Sequence, residues 1–396
     1  MSLKSTSTIA AGLMALILAL SACIKDQVNV ANYFYSDEEF AVLSESLNLS
    51  NTPINYQVIL PHHMVTRGVV APIINSHKAT LGRVLFYDTK LSQNKTVSCA
   101  SCHKQELAFS DDKAFSEGFN GQHTRRNSLP LAAAANFSSS YGGGNNFSSF
   151  SEKVFFFWDE RAVNIMEQSR ATIQDDIEMG MPLDQLASRL KGEPYYQILF
   201  RKAYGNSEIT PDKILESIQE FLNAFVSVES RFDEGLSGAD DPSINFPNYT
   251  DKENTGKRLF MENCASCHTA DMSTAVENMA NNGLDLNYTD RGRGAITNAA
   301  EDEGMFKVPF LRNVTLTGPY MHDGRFATLY DVVEHYNSGI KDHSNLDFRL
   351  RDPFTLDSPK RLNLSEYQKE AIVAFLGTLT DTNFVTDSRF SDPFKK

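Results

Sequence analysis

Two pentapeptides, Cys99-Ala100-Ser101-Cys102-His103 and Cys264-Ala265-Ser266-Cys267-His268, decide how this chain folds. Each is a C-x-x-C-H, the attachment signature of c-type haem. Two thiols add across the vinyl groups of one haem, and the adjacent His103 or His268 supplies the proximal iron ligand. A zinc reading fails because each motif offers only three ligands where a structural zinc takes four. One motif would suit an electron carrier; two suit a protein that moves electrons between two irons.

The motifs use four of the five cysteines. The fifth, Cys23, ends Leu20-Ser21-Ala22-Cys23, behind a basic start (Lys4) and an apolar stretch from Ile9 to Leu20. That is a lipoprotein-type signal over 1–22 with Cys23 as the lipidated residue, an ordinary signal peptide being the plainer alternative. The apolar run is too short for a membrane-spanning helix. Export fits haem attachment outside the cytoplasm, so the expectation is a periplasm-facing lipoprotein. Ile24 after the cysteine mildly favours the outer membrane. The net charge of −13 argues against nucleic-acid binding; it suits a basic redox partner, and equally a solvated acidic surface.

Around the motifs, helical spacing predicts helices at 76–86, 162–173, 211–232, 251–263 and 364–379, the last begun by Ser365. Long period-2 runs are absent. Residues 23–52 read as a tether with room for one short helix. The Ser/Gly/Asn-rich stretch 138–151 reads as a surface loop and 236–250 as a polar connector. Both motifs follow a Leu-Phe pair (Leu85-Phe86, Leu259-Phe260), a weak internal repeat. The expected fold is mainly α, two cytochrome c-like haem domains with long irregular loops. The first spans 53–240, with the tail 380–396 free to pack on it, and the second spans 245–379.

Further strings sharpen this. The chain resembles the bacterial di-haem cytochrome c peroxidases, the broad family that includes MauG, from Leu81 to Leu379. The strings are Leu81-Gly82-Arg83-x-Leu85-Phe86, Arg126-Asn127-Ser128, Phe157-Trp158-Asp159-Glu160-Arg161-Ala162, Glu178-Met179, Val308-Pro309-Phe310-Leu311-Arg312-Asn313 and His322-Asp323-Gly324-Arg325. The resemblance implies that the haem at His103 meets peroxide. It implies Glu178 as the acid–base group, Gln168 as a hydrogen-bonding partner of peroxide and Trp158 as an electron bridge between haems. It implies a calcium ion held by Asn127 and the carbonyls of Thr317 and Pro319. It also implies an electron-donor cytochrome c or similar periplasmic protein, and dimers are common among relatives. A desolvated carboxylate with a raised pKa suits the proton shuttling that O–O cleavage needs.

Two departures matter. Where many members carry a blocking distal His, this chain has Phe119, with His123 nearby as a rival ligand. Where peroxidases place a distal Met for the second haem, counting from His322 lands on Tyr336, the ligand type of MauG-like proteins. His335, Met305 and Met321 stay open as alternatives. Three functions follow: a peroxidase reducing H2O2 to water; a MauG-like oxidase modifying a partner protein through a high-valent state of the irons; and a non-enzymatic electron carrier.

Overall fold

The computed structural model describes residues 34–132, 155–272 and 279–396. The signal, Cys23 and the 138–151 stretch lie outside the described residues. The described part is mostly helical; its one sheet pairs Met279–Ala280 antiparallel with Phe306–Lys307.

Two helix crossings organise it. The Ser76–Tyr87 helix packs on the Pro211–Asn223 helix, and the Asp251–Asn263 helix packs on the Glu366–Gly377 helix. Each crossing turns on a glycine. A Cβ built on Gly82 would lie 1.9 Å from Ser217 O, and one on Gly256 would lie 1.8 Å from Ala371 O. Only a residue without a side chain lets the backbones meet this closely. The neighbours match as well: Phe221 Cβ lies against Gly82, and Phe375 Cβ against Gly256. The internal repeat is therefore Gly-x-x-Leu-Phe in both halves, wider than the Leu-Phe pair read from the sequence.

Each crossing has its own apolar core. Around the first, Phe86, Phe109, Phe221, Phe225, Phe384 and Phe390 form an aromatic cluster; Phe225 stands 4.1 Å from Phe109 and 5.2 Å from Phe390, ring centre to ring centre. Phe384 and Phe390 come from the tail, which also takes a hydrogen bond from Tyr87 Oη to Phe390 O at 2.7 Å. The second core gathers Phe232, Phe246, Leu259, Phe260, Phe375 and Leu376.

Three expectations need correction. Residues 34–52 are no tether. Ser36 caps a helix at Asp37–Ser46 with a full capping box, and Leu43, Leu47 and Leu49 are buried in the first core. Burial of these three leucines outweighs the polar composition of the stretch. The helix expected over 211–232 is two helices. The first ends at Asn223; Ser227 Oγ and Glu229 N–H then turn to the Asp381 carboxylate at 3.1 and 3.0 Å, and Ser230 caps a new helix, Arg231–Ala239. Finally, the second core begins at Phe232, ahead of the connector expected to divide the domains. The buried Arg312 guanidinium grips Asp233 bidentately at 2.8 and 2.9 Å, fixing that helix to the second half.

Candidate active site

The first C-x-x-C-H forms a short helix, Cys99–Cys102, closed by Ser98 and Ser101. After it, Ala108 and Phe109 both adopt left-handed backbone, φ +53° and +61°. Such conformations cost energy for residues with a Cβ. Here they send the Phe109 ring into the aromatic cluster and its carbonyl back to His103, 2.8 Å from Nδ1. Ser128 Oγ stands 3.3 Å from the same nitrogen. A carbonyl accepts only, so Nδ1 carries the hydrogen and Nε2 is the free ligand nitrogen. Burial lowers the pKa of this imidazole, which favours the neutral form that binds iron.

Beside His103 opens a cavity of about 650 Å³, lined among others by Cys102, Trp158, Gln168, Thr172 and Glu178. Gln168 and Thr172 stand one turn apart on the Ile165–Gln174 helix. The following turn carries Glu178: Asp175 Oδ1 accepts from the N–H groups of Ile177 and Glu178 at 2.9 and 3.1 Å. Burial, with the Asp175 charge adding to it, pushes the Glu178 carboxyl up to about 7; Thr172, Arg161 and Arg125 act the other way. A group poised there both takes and returns a proton near neutrality.

Phe119, whose phenyl ring has no lone pair for iron, and the rival ligand His123 both stay out of the cavity lining. The Phe119 ring packs against Gly180, where a Cβ would sit 2.5 Å from it, and Phe119 N–H donates to Glu178 O at 3.1 Å. His123 is exposed, on a backbone bridge with Glu117. Among the described residues, His103 is the only histidine lining the cavity.

Trp158 occupies the seam between the halves. Its Nε1–H donates to Asn127 O at 2.8 Å, and Asn127 N–H donates to His322 O at 2.7 Å. Its own carbonyl accepts from Lys307 N–H of the second half at 2.8 Å. The seam is clamped by ions: Arg126 holds Asp290 at 2.6 Å and Asp159 at 2.7 Å, and Lys307 holds buried Glu160 at 3.0 Å. Asn127 and Thr317 are buried, and Pro319 follows two residues after Thr317.

In the second C-x-x-C-H, His268 Nδ1 faces Pro309 O at 3.1 Å, and burial brings its pKa down to about 4. Pro309 also lines the first cavity, so one segment touches both haem sites. Tyr336 lies on the π-helical turn His335–Gly339, a distortion that often marks functional sites. Burial pushes its phenol up to about 12, with Cys264 and Cys267 close enough to add to the shift. Asn282 Nδ2 donates to Tyr336 Oη at 3.4 Å and contacts Met321 Sδ at 3.6 Å. Tyr336 and Met321 thus meet at one amide, that of Asn282. His335 is committed elsewhere, its Nε2 on Asn282 O at 3.0 Å. Met305 lies on a bridge with Gly292.

Sequence reasoning missed Thr172, Asp175 and Asn282. The first had a signal: it stands four residues after Gln168, hence on the same helix face. Asn282 had none, because only folding brings it to Tyr336.

Comparisons with known proteins agree with this geometry. Residues 76–241 match the di-haem cytochrome c peroxidase family, and residues 254–380 match cytochrome c. The methylamine utilization protein MauG of Methylorubrum extorquens is 31% identical over 313 residues, 77% of this chain and 79% of that protein. Cytochrome c551 peroxidase of Nitrosomonas europaea is 30% identical over 311 residues, 77% of this chain and 80% of that one. The crystal structure of a MauG-like protein associated with microbial copper homeostasis aligns with a TM-score of 0.68 at 28% identity, over 87% of this chain and 99% of that chain. The diheme peroxidase BthA of Burkholderia thailandensis shares the fold, with a TM-score of 0.60 at 21% identity, over 82% of this chain and 91% of that one. Motifs, architecture and relatives converge: the chain belongs to the di-haem cytochrome c peroxidase family that includes MauG, and it is a peroxidase-type haem oxidoreductase built for two c-type haems.

Proposed function

We propose that this protein is an exported, lipid-anchored cytochrome c peroxidase that reduces H2O2 to water at its first haem site, with electrons passed on from the second. The observation that carries this reading is Glu178, a carboxyl held near neutrality in the cavity beside His103. The haem attached at Cys99 and Cys102 and held by His103 supplies, when bound, an iron that binds peroxide and exchanges electrons. Glu178 as carboxylate takes the proton from one peroxide oxygen and returns it to the other, which leaves as water. Gln168 orients the bound peroxide. Trp158 joins the two sites through its contacts on both sides of the seam. The net change is H2O2 plus two protons and two electrons to two waters. Reduced small cytochrome c mixed with the holoprotein and H2O2 tests it: oxidation of the donor supports the reading, and no oxidation contradicts it.

A MauG-like oxidation of a partner protein is the second reading, and Tyr336 favours it. Burial keeps the Tyr336 phenol protonated at neutral pH, and an iron held by Tyr336 would supply the cation that draws the proton off. Tyrosinate is a hard donor that favours ferric iron over ferrous. A peroxide-dependent change in a partner protein, with donor cytochrome untouched, selects this reading.

Calcium between the sites fits the residues present. The Asn127 amide nitrogen is taken by Lys113 O at 3.1 Å, which leaves its oxygen as the free end. With the Thr317 and Pro319 carbonyls this makes an all-oxygen set suited to Ca²⁺. Chelation is expected to slow electron transfer between the sites, and added Ca²⁺ to restore it. Export and anchoring rest on Leu20-Ser21-Ala22-Cys23. Labelling with radioactive palmitate, lost in Cys23→Ala, tests both. A homodimer is what the family resemblance implies, and sedimentation of the holoprotein in the centrifuge reads its mass directly.

A further inference from the structure

A surface strap, residues 57–74, is apolar on both of its faces. Its two arms run side by side. Gln57 Nε2 donates to Ile74 O at 2.7 Å, and Leu60 and Val69 pack on one small core with Met64 and Val228. Leu60, Val69 and buried Ile74 form the inner face. Their chain neighbours Ile59, Val70 and Ile73 are 87, 76 and 92% exposed, and Val65, at the bend between the arms, is exposed too. Single exposed aliphatic residues are ordinary on a protein surface. A group of them, backed by a second apolar row, marks a contact with something other than water.

The strap lies where the described chain begins. The Tyr35 ring meets the His77 ring edge-on at 6.3 Å, four residues after Ile73, and Lys202 Nζ donates to Phe34 O at 2.6 Å. Only residues 24–33 separate Phe34 from Cys23. Fully extended, that stretch reaches about 40 Å. A domain of this size is about 50 Å across, so the side opposite Phe34 cannot reach a bilayer that holds Cys23. We infer that the outer face of the strap, with Ile59, Val65, Val70 and Ile73, rests on that bilayer. The inference depends on the lipid anchor at Cys23 proposed above.

Charge and rigidity agree with it. No acidic residue occurs between Glu45 and Asp88, in a chain that carries 50. The carboxylates that reach the strap from elsewhere have partners there: Asp240 and Asp271 lie 3.8 Å from the Arg67 guanidinium, and Glu220 accepts from Asn75 N–H. Anionic headgroups repel an acidic surface, and this face presents them with apolar groups instead. The bend is fastened to the second half. His63 Nδ1 stands 3.0 Å from Ser237 Oγ, and Arg67 Nη2 donates to Asp240 O at 3.0 Å. A strap held this way sets the tilt of both haem sites above the membrane.

The test uses the lipidated holoprotein in vesicles of phosphatidylethanolamine and phosphatidylglycerol. Its haem cysteines are thioethers and Cys23 is acylated, so a thiol introduced by Val70→Cys, or by Phe354→Cys on an exposed turn of the second half, reacts alone. Each reacts with a charged maleimide, and the rate is compared with that of the same variant carrying Cys23→Ala in buffer. The thiol at 70 is expected to react about tenfold more slowly on vesicles, as when about nine molecules in ten withdraw it from water. The thiol at 354 is expected to keep its rate. Ile59→Ser with Ile73→Ser should restore the rate at 70, and a phospholipid with a photoactivatable acyl chain should crosslink to the strap. An unchanged rate at 70, or equal slowing at 70 and 354, overturns the proposal. So does slowing at 70 with crosslinks to a second copy of the chain and none to lipid. If the wild type takes up no palmitate, the anchor fails and the proposal falls with it. If it is acylated while the thiol at 70 stays in water, only the membrane-facing strap fails.

Discussion

Gly82 and Gly256 occupy the same point in two equivalent helix crossings, and each crossing leads into a C-A-S-C-H. In the first half the carbonyl that orients the proximal histidine is six residues away, on a strained local turn; in the second it is 41 residues away, on the segment that reaches the seam. The first cavity holds a carboxyl poised near neutrality. In the second half a phenol and a thioether gather on the Asn282 amide. One scaffold therefore carries two haem motifs, and the two halves differ in side chains that the scaffold does not dictate.

The largest expected effect breaks the comparison at its chemical end. Glu178→Gln is expected to slow the reaction with H2O2 by about 10²–10⁴-fold, read by stopped flow, while the second haem keeps its spectrum. In the wild type the rate falls as pH drops through about 7, where the carboxylate takes up its proton. The linkage to stability has the opposite sense. The folded chain keeps the Glu178 proton up to about 7, whereas an unperturbed carboxyl loses it near 4.5, so this residue costs stability as pH rises across that interval. Glu178→Gln should accordingly raise the melting temperature more at pH 8 than at pH 4.

The tail sharpens the comparison next. Phe390 fills the first core only, so Phe390→Ala should cost about 3–5 kcal/mol in denaturant unfolding and disturb the first haem before the second. Gly82→Ala and Gly256→Ala follow, at about 1–3 kcal/mol or more each, with each variant loosening its own haem. Unequal effects would mean that the two crossings are alike only in outline. Trp158→Phe is the mildest. Its ring volume is largely kept, the hydrogen bond to Asn127 O is lost, and electron transfer between the haems, timed by flash reduction, should slow while peroxide binding stays as it was.

The sequence disclosed the parts that depend on local rules. The haem motifs, the Ser365 cap and the helical periods were legible because spacing and capping act within a few residues. The carboxyl at 178 was legible only through family resemblance; its raised pKa comes from burial, which no short stretch of sequence displays. The docking of 34–52 is not legible in its own stretch because Leu43, Leu47 and Leu49 matter only against a core built from residues far along the chain. The break after Asn223 was invisible because Asp381, which draws Ser227 and Glu229 out of the helix, lies more than 150 residues on. Gly-x-x-Leu-Phe was present twice in plain view. Its meaning emerged only when both glycines were seen to touch a partner backbone.

The claim that the irons do unequal jobs is tested most directly by electron paramagnetic resonance of the ferric holoprotein, with and without H2O2, in wild type and Tyr336→Phe. The account predicts a high-spin signal that peroxide abolishes, from the site at His103, and a separate low-spin signal altered by Tyr336→Phe. Two low-spin signals that ignore both peroxide and the substitution would contradict it.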